Sequence, residues 1–133
     1  MIKKIDHVAI VVEDLEASLA FWRDALGLPL GGMEENPGEH VDIAFLPVGG
    51  SQLELLQPTD ADSGIGKYLA KRGQGMHHLC VEVDDIDATI ARLVEHGIEM
   101  INETPRTRDE GTRYAFVHPK SASGVLVELY EKP

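Results

Sequence analysis

The sequence predicts an α+β fold in which two repeated βαβββ modules build one curved mixed sheet. Three observations predict it. The stretch from Ile5 to Gly27, "IDHVAIVVEDLEASLAFWRDALG", is written again from Met76 to Gly97 as "MHHLCVEVDDIDATIARLVEHG". Each copy opens on apolar residues alternating at a period of two, which suits a strand. Each then changes to helical spacing, and short turn-bounded apolar runs follow.

With His7 aligned to His78, Val8, Ile10 and Val12 face Leu79, Val81 and Val83. These are the first strands of the modules. Asp14 matches Asp85, and a short carboxylate at a helix start accepts otherwise unpaired amide protons. Leu15, Leu19, Trp22 and Leu26 then recur at helical spacing, as do Ile86, Ile90 and Leu93. Gly27 and Gly97 suit a left-handed helix stop. Three strands are expected next: Leu28–Met33, His40–Pro47 and Gln52–Leu56 in the first module, and Ile98–Thr104, Arg113–His118 and Val125–Tyr130 in the second. The chain is expected to be one domain over residues 1–133, with module 1 at about 1–58, a linker at about 59–75 and module 2 at about 76–133. The linker carries one short helix, Ile65–Lys71.

Composition narrows the function. There are 12 Lys plus Arg against 23 Asp plus Glu, a formal charge of −11. A polyanion would be repelled and no basic run compensates, so no nucleic-acid partner is expected. An anionic small substrate would need a local cation, which a bound metal ion could supply. No apolar run is long enough to span a membrane. The apolar stretch after Lys3 and Lys4 is too short for a secretory leader. The single cysteine, Cys80, excludes an internal disulfide and is compatible with a cytoplasmic setting.

The candidate chemistry lies in the repeat. His7 and His78 begin equivalent strands. Glu54 in "SQLELLQP" and Glu128 in "VLVELYEKP" sit mid-strand at matched positions. An unpaired buried carboxylate costs several kcal/mol, so each either faces water or is compensated. A His…Glu pair found twice is the pattern expected of a metal site across a pseudo-twofold axis. Two imidazoles and two carboxylates suit a borderline divalent ion such as Co²⁺, Mn²⁺, Ni²⁺ or Zn²⁺, with positions left for water or substrate. His40, His77, His96 and His118 have no repeat partner. His77 should point away from His78, and His96 falls in the last helical turn, where a cation is favourable.

The doubled plan with "IDHVAI", "LELL", "MHHLCVEVDD" and "VLVELY" resembles the vicinal oxygen chelate superfamily, over nearly the whole chain. Within it, "GMHHLCVEVDDIDA" and "HPKSASGVLVEL" are most similar to the methylmalonyl-CoA epimerase family. The resemblance implies a vicinal oxygen chelate fold around one divalent metal, Co²⁺ first. It implies His7, Glu54, His78 and Glu128 as metal ligands, an acyl-CoA thioester as substrate, and a homodimer. It also implies Glu128 as one proton carrier, with Asp42 or Glu54 as the other. Some epimerases carry glutamine where this chain has Glu54, which moves the pattern toward glyoxalase I. Lys67, Lys71, Arg72 and Lys120 could meet CoA phosphates or simply be solvated charges. The alternatives are a glyoxalase I-type lactoylglutathione lyase, an extradiol dioxygenase, for which Glu54 would fill an open position, and a non-catalytic small-molecule binding protein of the same fold.

Overall fold

A computed structural model describes all residues, 1–133. The elements are strands β1 (Ile2–Val11), β2 (Gly32–Asn36), β3 (Val41–Val48), β4 (Ser51–Pro58), β5 (Gly75–Val83), β6 (Arg106–Thr107), β7 (Arg113–Val117) and β8 (Val127–Glu131), with helices α1 (Leu15–Leu19), α2 (Gly64–Arg72) and α3 (Ile86–Glu95). The fold class is α+β, with helices interleaved among eight strands. Two compact units divide the chain: Val8–His77, and Met1–His7 together with His78–Pro133. Strand β1 runs from one into the other.

In the unit Val8–His77, hydrogen bonding runs β2-β3-β4-β1. Strand β3 is antiparallel to β4, with Ile43 opposite Leu56 and Phe45 opposite Glu54. Alternation separates two faces. Ala44, Leu46 and Leu55 pack with Val12, Leu15 and Leu19 of the α1 layer. Val41, Ile43 and Leu56 pack with Ala9 on the other face. Asp14 caps α1 as expected, accepting from the Ala17 amide at 3.1 Å. The expected regular helix does not continue: Ala20–Ala25 is a π-helix. Leu26 N–H donates to Phe21 carbonyl oxygen, five residues back, at 2.8 Å. The extra residue in the turn rotates Leu26 off the apolar stripe and leaves it 54% exposed. Strand β2 also starts later than expected. Pro29 interrupts the apolar run, and pairing begins where Gly32 meets Phe45.

In the other unit, hydrogen bonding runs β1-β5-β8-β7-β6, with β5 and β8 parallel and the later pairs antiparallel. Here too the pleat sorts the residues. Val83, Ala115, Val117 and Leu129 turn to α3 and pack on Ile86 and Ile90. Asp85 accepts from the Ala88 amide at 3.0 Å and starts α3. Both helix-stop glycines have positive φ, +90° at Gly27 and +76° at Gly97, where a Cβ would be strained. The expected strand Ile98–Thr104 is reduced to a bridge between Met100 and Val117, with β6 following later. Its cause is local. The Asn102 side-chain oxygen, not a main-chain carbonyl, takes the Phe116 amide at 2.9 Å, and Pro105 then has no amide to pair.

Candidate metal centre

The face of β5, β8 and β7 turned away from α3 carries the site. Cys80 lies beside Glu128 in the parallel pair, and Phe116 and Tyr114 stand opposite Glu128 and Tyr130. His78 belongs to the same face, two residues before Cys80. The neighbouring strand β1 brings His7. Leu129, next to Glu128, goes into the α3 core. Folding that core therefore fixes Glu128 on the opposite side, 2% exposed.

Three donor atoms converge. His7 Nε2 is 3.1 Å from His78 Nε2. Glu128 Oε1 is 3.4 Å from His7 Nε2 and 3.2 Å from His78 Nε2. A divalent ion bonded to nitrogen and oxygen at about 2.0–2.2 Å holds adjacent donors about 3.0–3.5 Å apart, from octahedral to tetrahedral geometry. The triangle has that size, so the residues fit the ion. The imidazoles also hold the Glu128 carboxylate anionic. Burial pushes its pKa up, but hydrogen bonds and charge from His7 and His78 outweigh burial and bring it down to about 2. A carboxylate kept deprotonated is the state a cation requires.

Asp6, which sequence reasoning missed, completes the arrangement. Its Oδ2 accepts from His7 Nδ1 at 2.8 Å, both side chains being buried. When the ring gives up its second proton, this bond keeps the remaining one on Nδ1 and leaves Nε2 its lone pair, the usual role of a carboxylate behind a metal-binding histidine. Its pKa is lowered to about 2, first by the His7 hydrogen bond and then by Lys132, against the opposing effect of burial. Lys132 Nζ sits 2.9 Å from Asp6 Oδ1 and 3.5 Å from Glu82, and Lys3 also meets Glu82, at 3.2 Å. The repeat could not reveal Asp6, since its equivalent in the second copy is His77. Only its place immediately before His7 was visible. Rings surround the pair: Tyr130 lies 5.4 Å from His7, and Phe116 lies 6.0 Å from His78.

The other two expected residues belong to the unit Val8–His77. Glu54 is half-buried and accepts from Gln52 Nε2 at 3.2 Å. It lies on the face that carries Leu56 and Ala9. Asp42 pairs with Gln57, whose side chain accepts from Leu15 N–H at the start of α1. Asp42 therefore shares the α1-facing side with Ala44 and Leu46, opposite to Glu54. One residue of register decides this, and it was not legible before the ladder was known. As expected, His77 turns from His78, its ring 4.7 Å from Tyr68. His96 caps α3, its Nδ1 on the Arg92 carbonyl at 2.8 Å. Among the cations considered for CoA, Lys120 pairs with Glu99 and Arg72 lies over Tyr68.

The family model described as Glyoxalase/Bleomycin resistance protein/Dioxygenase superfamily matches residues 6–116. The chain belongs to that superfamily. It is 39% identical over 131 residues to the ethylmalonyl-CoA/methylmalonyl-CoA epimerase of Cereibacter sphaeroides, covering 97% of this chain and 98% of the relative. It is 39% identical over 127 residues to human mitochondrial methylmalonyl-CoA epimerase, covering 95% of this chain and 72% of that protein. A solved methylmalonyl-CoA epimerase in complex with methylmalonyl-CoA and NH₄⁺ superposes with a TM-score of 0.87 at 37% identity, covering 99% of this chain and 96% of that one. The superfamily membership agrees with the doubled motif and with the donor triangle built on it.

Proposed function

We propose that this chain is a metal-dependent epimerase that interconverts (R)- and (S)-methylmalonyl-CoA by removing the C2 proton and returning it to the opposite face. The observation that carries the reading is the His7–His78–Glu128 triangle in a chain whose relatives at 39% identity act as epimerases of such thioesters. The obstacle is the negative charge that develops on the thioester oxygen when C2 loses its proton. His7, His78 and Glu128 would hold a divalent ion, with Glu54 the fourth ligand that the family resemblance implies, and the ion would supply Lewis-acid stabilisation of that charge, on the order of several kcal/mol. Co²⁺ is the first choice, and Mn²⁺, Ni²⁺ and Zn²⁺ suit the same donors.

The residues supply the rest. Asp6 holds His7 in one tautomer. Tyr130 and Phe116 flank the imidazoles and limit water. We assign one proton carrier to Glu128 and the other to Asp42 or Glu54, as the family resemblance implies. A positioned carboxylate contributes roughly 10²–10⁴-fold to such a transfer. While the imidazoles donate to it, Glu128 is a weak base.

We further propose a homodimer, as the family resemblance implies, to be read by light scattering. The same reading places the enzyme in the cytoplasm, supported by a single cysteine that forms no disulfide. No helix is long and apolar enough to cross a membrane. The test of the activity is incubation with methylmalonyl-CoA in D₂O while the C2 proton is followed by NMR. Prompt exchange is expected. Absence of exchange, with turnover of the methylglyoxal–glutathione adduct, would move the assignment to a lactoylglutathione lyase.

A further inference from the structure

Behind Asp6 the charged groups form a line. On β5 the alternation that puts His78 and Cys80 on the site face puts Glu82 there as well, opposite Tyr130 of β8. Lys132 follows β8 directly and continues the row that holds Glu128 and Tyr130. One end of this pair of strands therefore carries the donors His78 and Glu128, and the other carries Glu82 and Lys132. Lys132 Nζ is 2.9 Å from Asp6 Oδ1 and 3.5 Å from Glu82 Oε1. Lys3 Nζ is 3.2 Å from Glu82 Oε2.

Two explanations of Lys132 compete. The first is charge balance. The Asp6 and Glu82 side chains are only 8% and 9% exposed, and two such carboxylates side by side need cations. Charge balance accounts for Lys3, which meets Glu82. It does not account for where Lys132 goes. The shorter of its two contacts is with Asp6, not with the nearer strand's Glu82. Neighbouring strands lie about 4.8 Å apart, so a side chain from the end of β8 must cross β5 to reach Asp6 on β1. The second explanation is geometric. Asp6 Oδ2 takes the His7 Nδ1 proton at 2.8 Å while Oδ1 is held by Lys132. A carboxylate gripped at one oxygen cannot turn the other away from the imidazole without breaking the ion pair.

We propose that Lys132 is a positioning residue for the metal centre: by gripping Asp6 Oδ1 it fixes the carboxylate that orients the His7 ring, and so sets how tightly the donor triangle holds a divalent ion. The inference rests on the reading of His7, His78 and Glu128 as metal ligands and adds a group outside that triangle. The sign of its effect separates positioning from charge alone. A bystander ammonium repels a nearby dication, so its loss would tighten metal binding. Loss of a positioning ammonium lets Asp6 turn from His7, so metal binding loosens.

A double-mutant cycle tests it, read by Co²⁺ affinity in chelator competition and by the visible absorption of bound Co²⁺, which reports ligand geometry. Lys132→Met should weaken Co²⁺ binding roughly 3- to 10-fold, less than the 10- to 100-fold typical of losing an orienting partner, because Asp6 itself remains. Its absorption should shift in the direction seen for Asp6→Asn. Lys132→Arg keeps a cation with the reach to cross β5 and should stay within about twofold of wild type. In the Asp6→Asn background, Lys132→Met should weaken binding no further. An exposed ion pair adds little to stability, so a cooperative thermal transition should survive. Should the Met variant fail to fold, Lys132→Gln, polar and too short to cross β5, gives the same comparison. Co²⁺ binding that is unchanged or tighter without Lys132 would overturn the proposal and leave an ion pair that only balances charge. Equal weakening in the wild-type and Asp6→Asn backgrounds would overturn it too, since the effect would not pass through Asp6. A wild-type protein that retains no stoichiometric Co²⁺ would instead defeat the metal-centre reading on which the inference rests.

Discussion

Asp6→Asn separates the charge behind His7 from the shape of the site. The two side chains are isosteric, and the change sits 2.8 Å from His7 Nδ1. The carboxylate accepts only, so it holds the proton on Nδ1 and leaves Nε2 its lone pair. The amide can present its NH₂ instead, which favours the tautomer with the proton on Nε2, where the metal must bind. Loss of such an orienting partner ordinarily costs 10- to 100-fold in metal affinity, or about 1.4–2.7 kcal/mol. Here the upper end is expected. The His7 and Asp6 side chains are only 2% and 8% exposed, so water does not replace the bond. Co²⁺ titration against a competing chelator reads the affinity, and ¹⁵N NMR of the imidazoles reads the tautomer. A variant that keeps its Co²⁺ dissociation constant within about threefold of wild type, with the His7 tautomer unchanged, would refute the reasoning about the orienting carboxylate.

Other substitutions probe separate parts of the molecule. His78→Ala should abolish stoichiometric metal retention while leaving the circular dichroism spectrum and a cooperative thermal transition in place. Ile90→Ala, on the α3 side of the sheet, should cost about 2–4 kcal/mol in denaturant titrations without changing metal stoichiometry. In the metal-free protein Asp6 and Glu128 titrate at about 2, below the ordinary range of about 4 for unfolded carboxyls. Their contribution to stability is therefore complete above that ordinary range. It is lost as the pH falls from about 4 towards 2, and acid unfolding of Asp6→Asn should be less steep there. Asp42→Asn and Glu54→Gln, followed side by side for C2 exchange, separate the two candidates for the second proton carrier: the carrier's variant should fall by at least tenfold while the other stays within about threefold of wild type.

Much of this was written in the sequence because duplication copies a signal. One histidine at a strand start says little. His7 and His78 at equivalent places, each followed by a mid-strand glutamate, point to shared chemistry, and the structure brings His7, His78 and Glu128 together. Capping aspartates and helix-stop glycines are local signals, read from a few residues, and both copies behave as expected. What stayed hidden depends on pairing or on non-repeated residues. The face on which Asp42 lies follows from the β3–β4 register. The π-helical turn that displaces Leu26 has no composition cue. Asp6 has no acidic counterpart in the other copy, where His77 stands.

The most direct measurement of the central claim is deuterium exchange at C2 of methylmalonyl-CoA, followed through metal removal and return. Wild-type protein should exchange promptly, stop when a chelator removes the metal, and recover on addition of Co²⁺. His7→Ala and His78→Ala should stay inactive at any Co²⁺ concentration that restores wild type. Exchange that persists in the stripped protein, or that survives loss of either histidine, would contradict a proton transfer supported by an ion held between the two copies of the motif.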